Sequence, residues 1–124
     1  MIHGIGVDII EIDRIQQSIN DYGDVFLTKL FTPAEINYCT SKPFPTQHFA
    51  ARFAAKEAFS KAISTGWAGD FEWKNVEIVN APSGKPSFLF YGKTAEALKE
   101  HSVLLSMSHS DNTVVAFVVI EKVL

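Results

Sequence analysis

Residues 46–65 read TQHFAARFAAKEAFSKAIST. The stretch holds six alanines and neither glycine nor proline, so propensity alone predicts the longest helix of the chain, ended by Gly66 and Gly69. Within it Phe49, Phe53, Glu57 and Lys61 recur at steps of four and line up along one face. Arg52, Lys56 and Ser60 form a neighbouring line of groups suited to anions. Ala51, Ala54, Ala55, Ala58 and Ala62 keep the remaining surfaces narrow, so strands can pack close. Upstream, residues 1–10 read as a strand in which His3, Ile5, Val7 and Ile9 alternate with Gly4, Gly6 and Asp8.

Working outward, residues 11–20 carry Ile12, Ile15 and Ile19 at helical spacing, and residues 24–30 form a short helix or turn with Phe26 and Leu30 inward. Thr32-Pro33-Ala34-Glu35 is a helix start: a threonine cap, proline in the first turn, and glutamate three residues after the cap. That helix ends near Thr40, and residues 41–45, with two prolines, are a loop. Residues 75–80 and 87–91 read as strands around a turn at 82–86, followed by a short helix over 93–101. A hairpin around Asp111-Asn112 joins strands at 103–110 and 113–122. Residues 114–120 are apolar on both faces, which predicts a central strand covered on both sides. Helices first and strand pairs later give an α+β class, and 124 residues bound it to one domain over 1–124.

The formal net charge of −3 argues against nucleic-acid binding, which needs many phosphate contacts from Lys and Arg. No apolar run approaches a membrane span, and the first fifteen residues, MIHGIGVDIIEIDRI, lack a basic signal-peptide start. With one cysteine, Cys39, neither an internal disulfide nor a cysteine-built zinc site is available, and a reducing cytoplasm fits. Charge is unevenly spread. Residues 1–24 hold Asp8, Glu11, Asp13, Asp21 and Asp24 against Arg14, while residues 42–61 hold Lys42, Arg52, Lys56 and Lys61 against Glu57. This suits either a carboxylate-held cation beside a phosphate-binding surface, or simply two solvated faces of opposite sign.

Three features can carry chemistry. Asp8 follows Gly4 and Gly6 on its strand face, where a ligand or another backbone can come close; the plainer alternative is an aspartate that starts to cap the next helix. Glu57 continues a phenylalanine stripe to the core boundary, where a carboxylate wants a partner: Lys61 at i+4, or a metal. Two hard carboxylate oxygens beside cations suit Mg²⁺, which takes its other ligands from water and substrate phosphates. The third feature is Ser106-Met107-Ser108-His109-Ser110, with Met107 and His109 on one strand face and the serines on the other. Neighbours on a strand point apart, so these residues with Asp111 make no catalytic triad. Gly4-Ile5-Gly6 lacks the third glycine of a dinucleotide fingerprint.

Gly4-Ile5-Gly6-Val7-Asp8-Ile9, the run from Arg52 to Ala62 (RFAAKEAFSKA), and the strand ending Ser106-Met107-Ser108-His109-Ser110 together resemble the holo-acyl-carrier-protein synthases. These are the short bacterial 4′-phosphopantetheinyl transferases, and the resemblance spans essentially the whole chain in order and length. It implies the 4′-phosphopantetheinyl transferase fold and transfer of 4′-phosphopantetheine from coenzyme A to a serine of apo acyl carrier protein, releasing adenosine 3′,5′-bisphosphate. By the same resemblance Asp8 and Glu57 are Mg²⁺ ligands, and Lys61 stabilises the leaving phosphate. Arg52 and His109 match coenzyme A phosphate positions, Lys56 and Ser60 join that cofactor-binding set, and Gly66 and Pro86 line the nucleotide cleft. A homotrimer with sites at subunit interfaces is implied too. The family's first helix offers basic residues to the acidic carrier; here Arg14 remains, Asp21 and Asp24 stand where positive charge would help, and Lys29 and Lys42 are the residues that could compensate. Two further functions are weighed. A non-catalytic trimeric nucleotide-binding module has no need of Asp8, Glu57 and Lys61 together. A Mg²⁺-dependent phosphodiesterase lacks a second acidic cluster, beyond what Glu11 supplies.

Overall fold

The computed structural model describes residues 1–63 and 71–123. In chain order the elements are β1 (Ile2–Glu11), α1 (Ile12–Tyr22), α2 (Asp24–Leu30), α3 (Pro33–Thr40), α4 (Pro45–Ala62), a 3₁₀ turn (Trp73–Asn75), β2 (Val76–Asn80), β3 (Pro86–Phe90), α5 (Gly92–Ala97), β4 (His101–His109) and β5 (Thr113–Lys122). β1, β5 and β4 form an antiparallel sheet in that order, and β2 pairs with β3 in a separate hairpin. The architecture is α+β, with the N-terminal strand and helices preceding the later strand pairs.

Helix α4 lies across the inner face of the three-stranded sheet, and the glycines of β1 explain how close it comes. A Cβ on Gly6 would sit 1.9 Å from the Ala58 carbonyl oxygen, and one on Gly4 would sit 2.1 Å from that of Ala62. Hydrogen is the only side chain that fits at either position. Ala54, Ala55 and Ala58 of α4 are fully buried, as are Ala116, Val118 and Ile120 of β5. Phe59 joins this core to the hairpin through ring contacts with Phe88 and Phe90.

Local chemistry accounts for the element boundaries. Thr32 and Glu35 close a reciprocal capping box: Glu35 N–H donates to Thr32 Oγ1 at 3.2 Å, and Thr32 N–H donates to Glu35 Oε1 at 3.0 Å. Gly23, at φ 55°, ends α1 with its N–H on Ile19 O. Helix α4 starts at Pro45, because proline in a first turn gives up no helical hydrogen bond. The expected stop at Gly66 and Gly69 lies outside the described residues.

One expectation is corrected for the single chain. Strand β5 is central, but among the described residues only one of its faces is covered. Val114, Ala116, Val118 and Ile120 are buried under α4. The opposite face holds Val115, Phe117 and Val119, and Phe117 is 44% exposed. Helix α4 covers only one side of the sheet. Register places Ile5 and Leu104 beside Val119, and Val7 beside Phe117, so the outer face is an apolar field. Ile5, Val7 and Ile9 are 61%, 51% and 68% exposed there.

Candidate functional site

Strand alternation turns Asp8 toward α4, on the same face as Gly4 and Gly6. It therefore meets the charged end of the α4 stripe. Lys61 Nζ donates to Asp8 Oδ1 at 3.0 Å and to the Val7 carbonyl at 3.0 Å. Glu57, one turn earlier on α4, has its carboxyl pushed up, first by burial and then by the Asp8 carboxylate; Lys61 acts against both. Sequence positions 8, 57 and 61 thus converge in space, with two carboxylates close enough to feel each other's charge.

A hard divalent cation fits this donor set. The Asp8 carboxylate adds to the cost of ionising Glu57, and a cation between the two relieves that cost. The donors are oxygens, and no group of three or more His, Cys, Asp or Glu able to hold a metal occurs among the described residues. That excludes a nitrogen- or sulfur-rich zinc site and a many-oxygen calcium cage there, and leaves the Mg²⁺ pattern of few protein ligands.

Arg52, Pro86 and His109 meet in a second place, a cavity of about 260 Å³ between α3, α4, the β2–β3 turn and the end of β4. Arg52 is 2% exposed. Its guanidinium carbon lies 4.3 Å from the centre of the Tyr38 ring, and Nη2 donates to Asn80 Oδ1 at 2.7 Å. Asn80 in turn donates to Gly84 O at 3.0 Å, which ties the arginine to the hairpin turn. Its Nε is buried without a protein acceptor. Gln47 Nε2 donates toward His109 Nε2 at 3.1 Å.

Lys56 is a correction. It does not continue the line from Arg52 into a binding surface, for it is fully buried. Its ammonium donates to Glu35 Oε1 at 2.6 Å, Leu30 O at 2.7 Å and Trp73 O at 3.0 Å. All three protons are used, so none remains for an anion. Glu35 Oε2 also accepts from Ile78 N–H, so the pair clamps α2, α3, α4 and β2 together. Ser60 spends its hydroxyl proton on its own helix, at Glu57 O, 2.7 Å away. Gly66 lies outside the described residues. Sequence reasoning missed Tyr38, His48 and Asn80 as lining of the Arg52 cavity. Only the i, i+4 spacing of His48 and Arg52 signals part of it.

The family model of the ACPS 4′-phosphopantetheinyl transferase superfamily matches residues 4–118. The chain belongs to that superfamily. As a phosphopantetheinyl transferase it is an enzyme. It is 46% identical to a holo-[acyl-carrier-protein] synthase of Geotalea daltonii, over 98% of this chain and 100% of the relative. The crystal structure of the synthase from Neisseria meningitidis superposes with a TM-score of 0.90 at 41% identity, covering 98% of this chain and 100% of that one. A Bacillus anthracis synthase solved in complex with CoA (3′,5′-ADP) superposes with a TM-score of 0.82 at 39% identity, covering 98% of each chain. Both positions that carry the convergent carboxylates, and the whole of α4, fall within the matched span of the transferase family.

Proposed function

We propose that this transferase moves 4′-phosphopantetheine from coenzyme A to a serine hydroxyl of an apo acyl carrier protein, with Mg²⁺ as its metal. The observation that carries the reading is the convergence of Asp8, Glu57 and Lys61 at the β1–α4 contact. A relative bound to coenzyme A supports the substrate. In the transfer, the serine oxygen forms a bond to the β-phosphorus of the pyrophosphate as the bond to the bridging oxygen breaks. Adenosine 3′,5′-bisphosphate leaves, and the serine proton is lost to solvent or a base.

Asp8 and Glu57 are the residues that would hold Mg²⁺, which supplies charge neutralisation at the pyrophosphate and acidifies a bound hydroxyl or water. Lys61 presents its ammonium at the same point and stabilises charge on the departing phosphate. Arg52 and His109 take coenzyme A phosphates, and Pro86 borders the nucleotide. The apolar outer face of the β1–β5–β4 sheet, with Ile5, Val7, Ile9 and Phe117 exposed, supports a homotrimer. One domain over 1–124, working in the cytoplasm on lipid-synthesis carriers, completes the reading. No helix among the described residues is long and apolar enough to cross a membrane.

The test is intact-mass spectrometry of an apo acyl carrier protein incubated with enzyme, coenzyme A and Mg²⁺. The carrier gains the mass of one phosphopantetheine group, and a carrier with its acceptor serine changed to alanine gains nothing. A carrier unchanged in mass under both conditions contradicts the proposal.

A further inference from the structure

His48 is half-buried on the first turns of α4 and lines the same cavity as Arg52 and His109. The described residues that line this cavity with it are cationic or uncharged. From α3, the Tyr38 ring stands edge-on at 5.8 Å. From the α3–α4 turn, Lys42 Nζ lies 4.6 Å from the centre of that same ring. Helix α4 itself adds Gln47 and Arg52, β2 adds Asn80, and β4 adds His109. No carboxylate lines the cavity among the described residues. Asp111 borders a separate groove beside Gln47 and Phe44. In this setting protonation of His48 is opposed by burial first, then by Arg52, Lys42 and His109, and its imidazole is held below the usual histidine range.

We propose that His48 is a specificity-determining residue for the phosphate-bearing substrate: it takes up a proton as a phosphate group enters the cavity beside Arg52 and His109. A phosphate monoester brings nearly two negative charges. It reverses the sign of the field at His48, because Arg52 is then neutralised and an anion stands where only cations stood. Protonated His48 becomes a further donor to that anion, and the buried Nε of Arg52 gains an acceptor. Linkage makes the effect reciprocal: if phosphate favours the proton, the proton favours phosphate by the same factor. The bound-state value lies above the free-state value. The gain in affinity is therefore complete below the free-state value and disappears as pH rises through the bound-state value. This inference rests on the reading of the chain as a coenzyme A-dependent transferase.

The experiment is calorimetric titration of coenzyme A into the Mg²⁺-loaded protein at pH 6 and pH 8, for wild type, His48→Gln and His48→Arg. Running each in two buffers of different ionisation enthalpy counts the protons taken up. The wild-type to His48→Gln affinity ratio cancels titration of the phosphate itself. That ratio is expected to be roughly threefold at pH 6, where the gain is only partly developed, and close to one at pH 8. Proton uptake falls in His48→Gln, and His48→Arg binds coenzyme A with a fixed advantage over His48→Gln at both pH values. A ratio independent of pH, or equal proton uptake in wild type and His48→Gln, overturns the role of His48 and leaves the transferase reading standing. Failure of the wild type to bind coenzyme A at either pH overturns both.

Discussion

Two lysines of one helix, five residues apart, do opposite work. Lys61 reaches out of α4 to Asp8 in a half-solvated pair, while Lys56 is sealed inside on Glu35. A buried ion pair that loses one member leaves the other charged and unpaired, at a cost of about 3–5 kcal/mol. Lys56→Met should therefore lower unfolding stability by about that amount in urea denaturation, and adding Glu35→Gln should restore part of it. A Lys56→Met protein as stable as wild type would show that the pair contributes nothing to the fold. At this scale the sequence shows by itself only local relations. Alternation on a strand and steps of four on a helix singled out Asp8 and the Glu57–Lys61 pair, and the resemblance joined them into one site. Glu35 was readable as a cap for Thr32, and that local job hid its second one, a contact with a lysine 21 residues away.

Elements place those residues through close approach. Gly4 and Gly6 bring the β1 backbone against the carbonyls of Ala62 and Ala58, which sets how far Asp8 stands from Lys61. Gly6→Ala should push α4 off the sheet. The destabilisation is expected to be at least the 1–3 kcal/mol typical of overpacking, since the clash is with backbone, and transfer activity should fall with it. Thermal melting and a transfer assay read the two effects. Unchanged activity at a lowered melting point would separate the site from the contact. The same glycines were visible in the sequence as room for a neighbour. Which neighbour fills the room depends on the packing of α4, a tertiary fact that alternation does not carry.

Across the whole molecule, two surfaces remain to be matched with partners. The outer sheet face presents Ile5, Val7, Ile9, Leu104 and Phe117 to solvent. The apolar character of residues 114–120 was legible, and the resemblance implied a homotrimer that would help cover it; that α4 takes one face of the sheet and leaves the other bare among the described residues is a fact of packing. Phe117→Asp should convert a trimer to monomers in sedimentation equilibrium at micromolar concentration; a wild-type monomer there would remove the shared-site account. The second is the surface proposed to meet the carrier, which on that reading is acidic. Arg14 favours that encounter, while Asp21 and Asp24 oppose it. Arg14→Glu should raise the carrier KM and leave the coenzyme A KM nearly unchanged, and Asp24→Lys should lower the carrier KM. Both effects should shrink with added salt, because exposed charges are screened beyond about 8 Å at physiological ionic strength. An unchanged carrier KM for Arg14→Glu at low salt would place docking elsewhere.

The central claim is that Asp8 and Glu57 form a deliberately incomplete site for a hard cation, which the phosphates of the substrate finish. Calorimetric titration of Mg²⁺ into the protein, with and without saturating coenzyme A, addresses it directly. Two carboxylates give weak binding to the free protein, and coenzyme A should tighten it by roughly tenfold or more. Asp8→Asn and Glu57→Gln should each abolish that tightening while circular dichroism shows the fold intact. Equal Mg²⁺ affinity with and without coenzyme A, or wild-type tightening in both variants, would contradict the account.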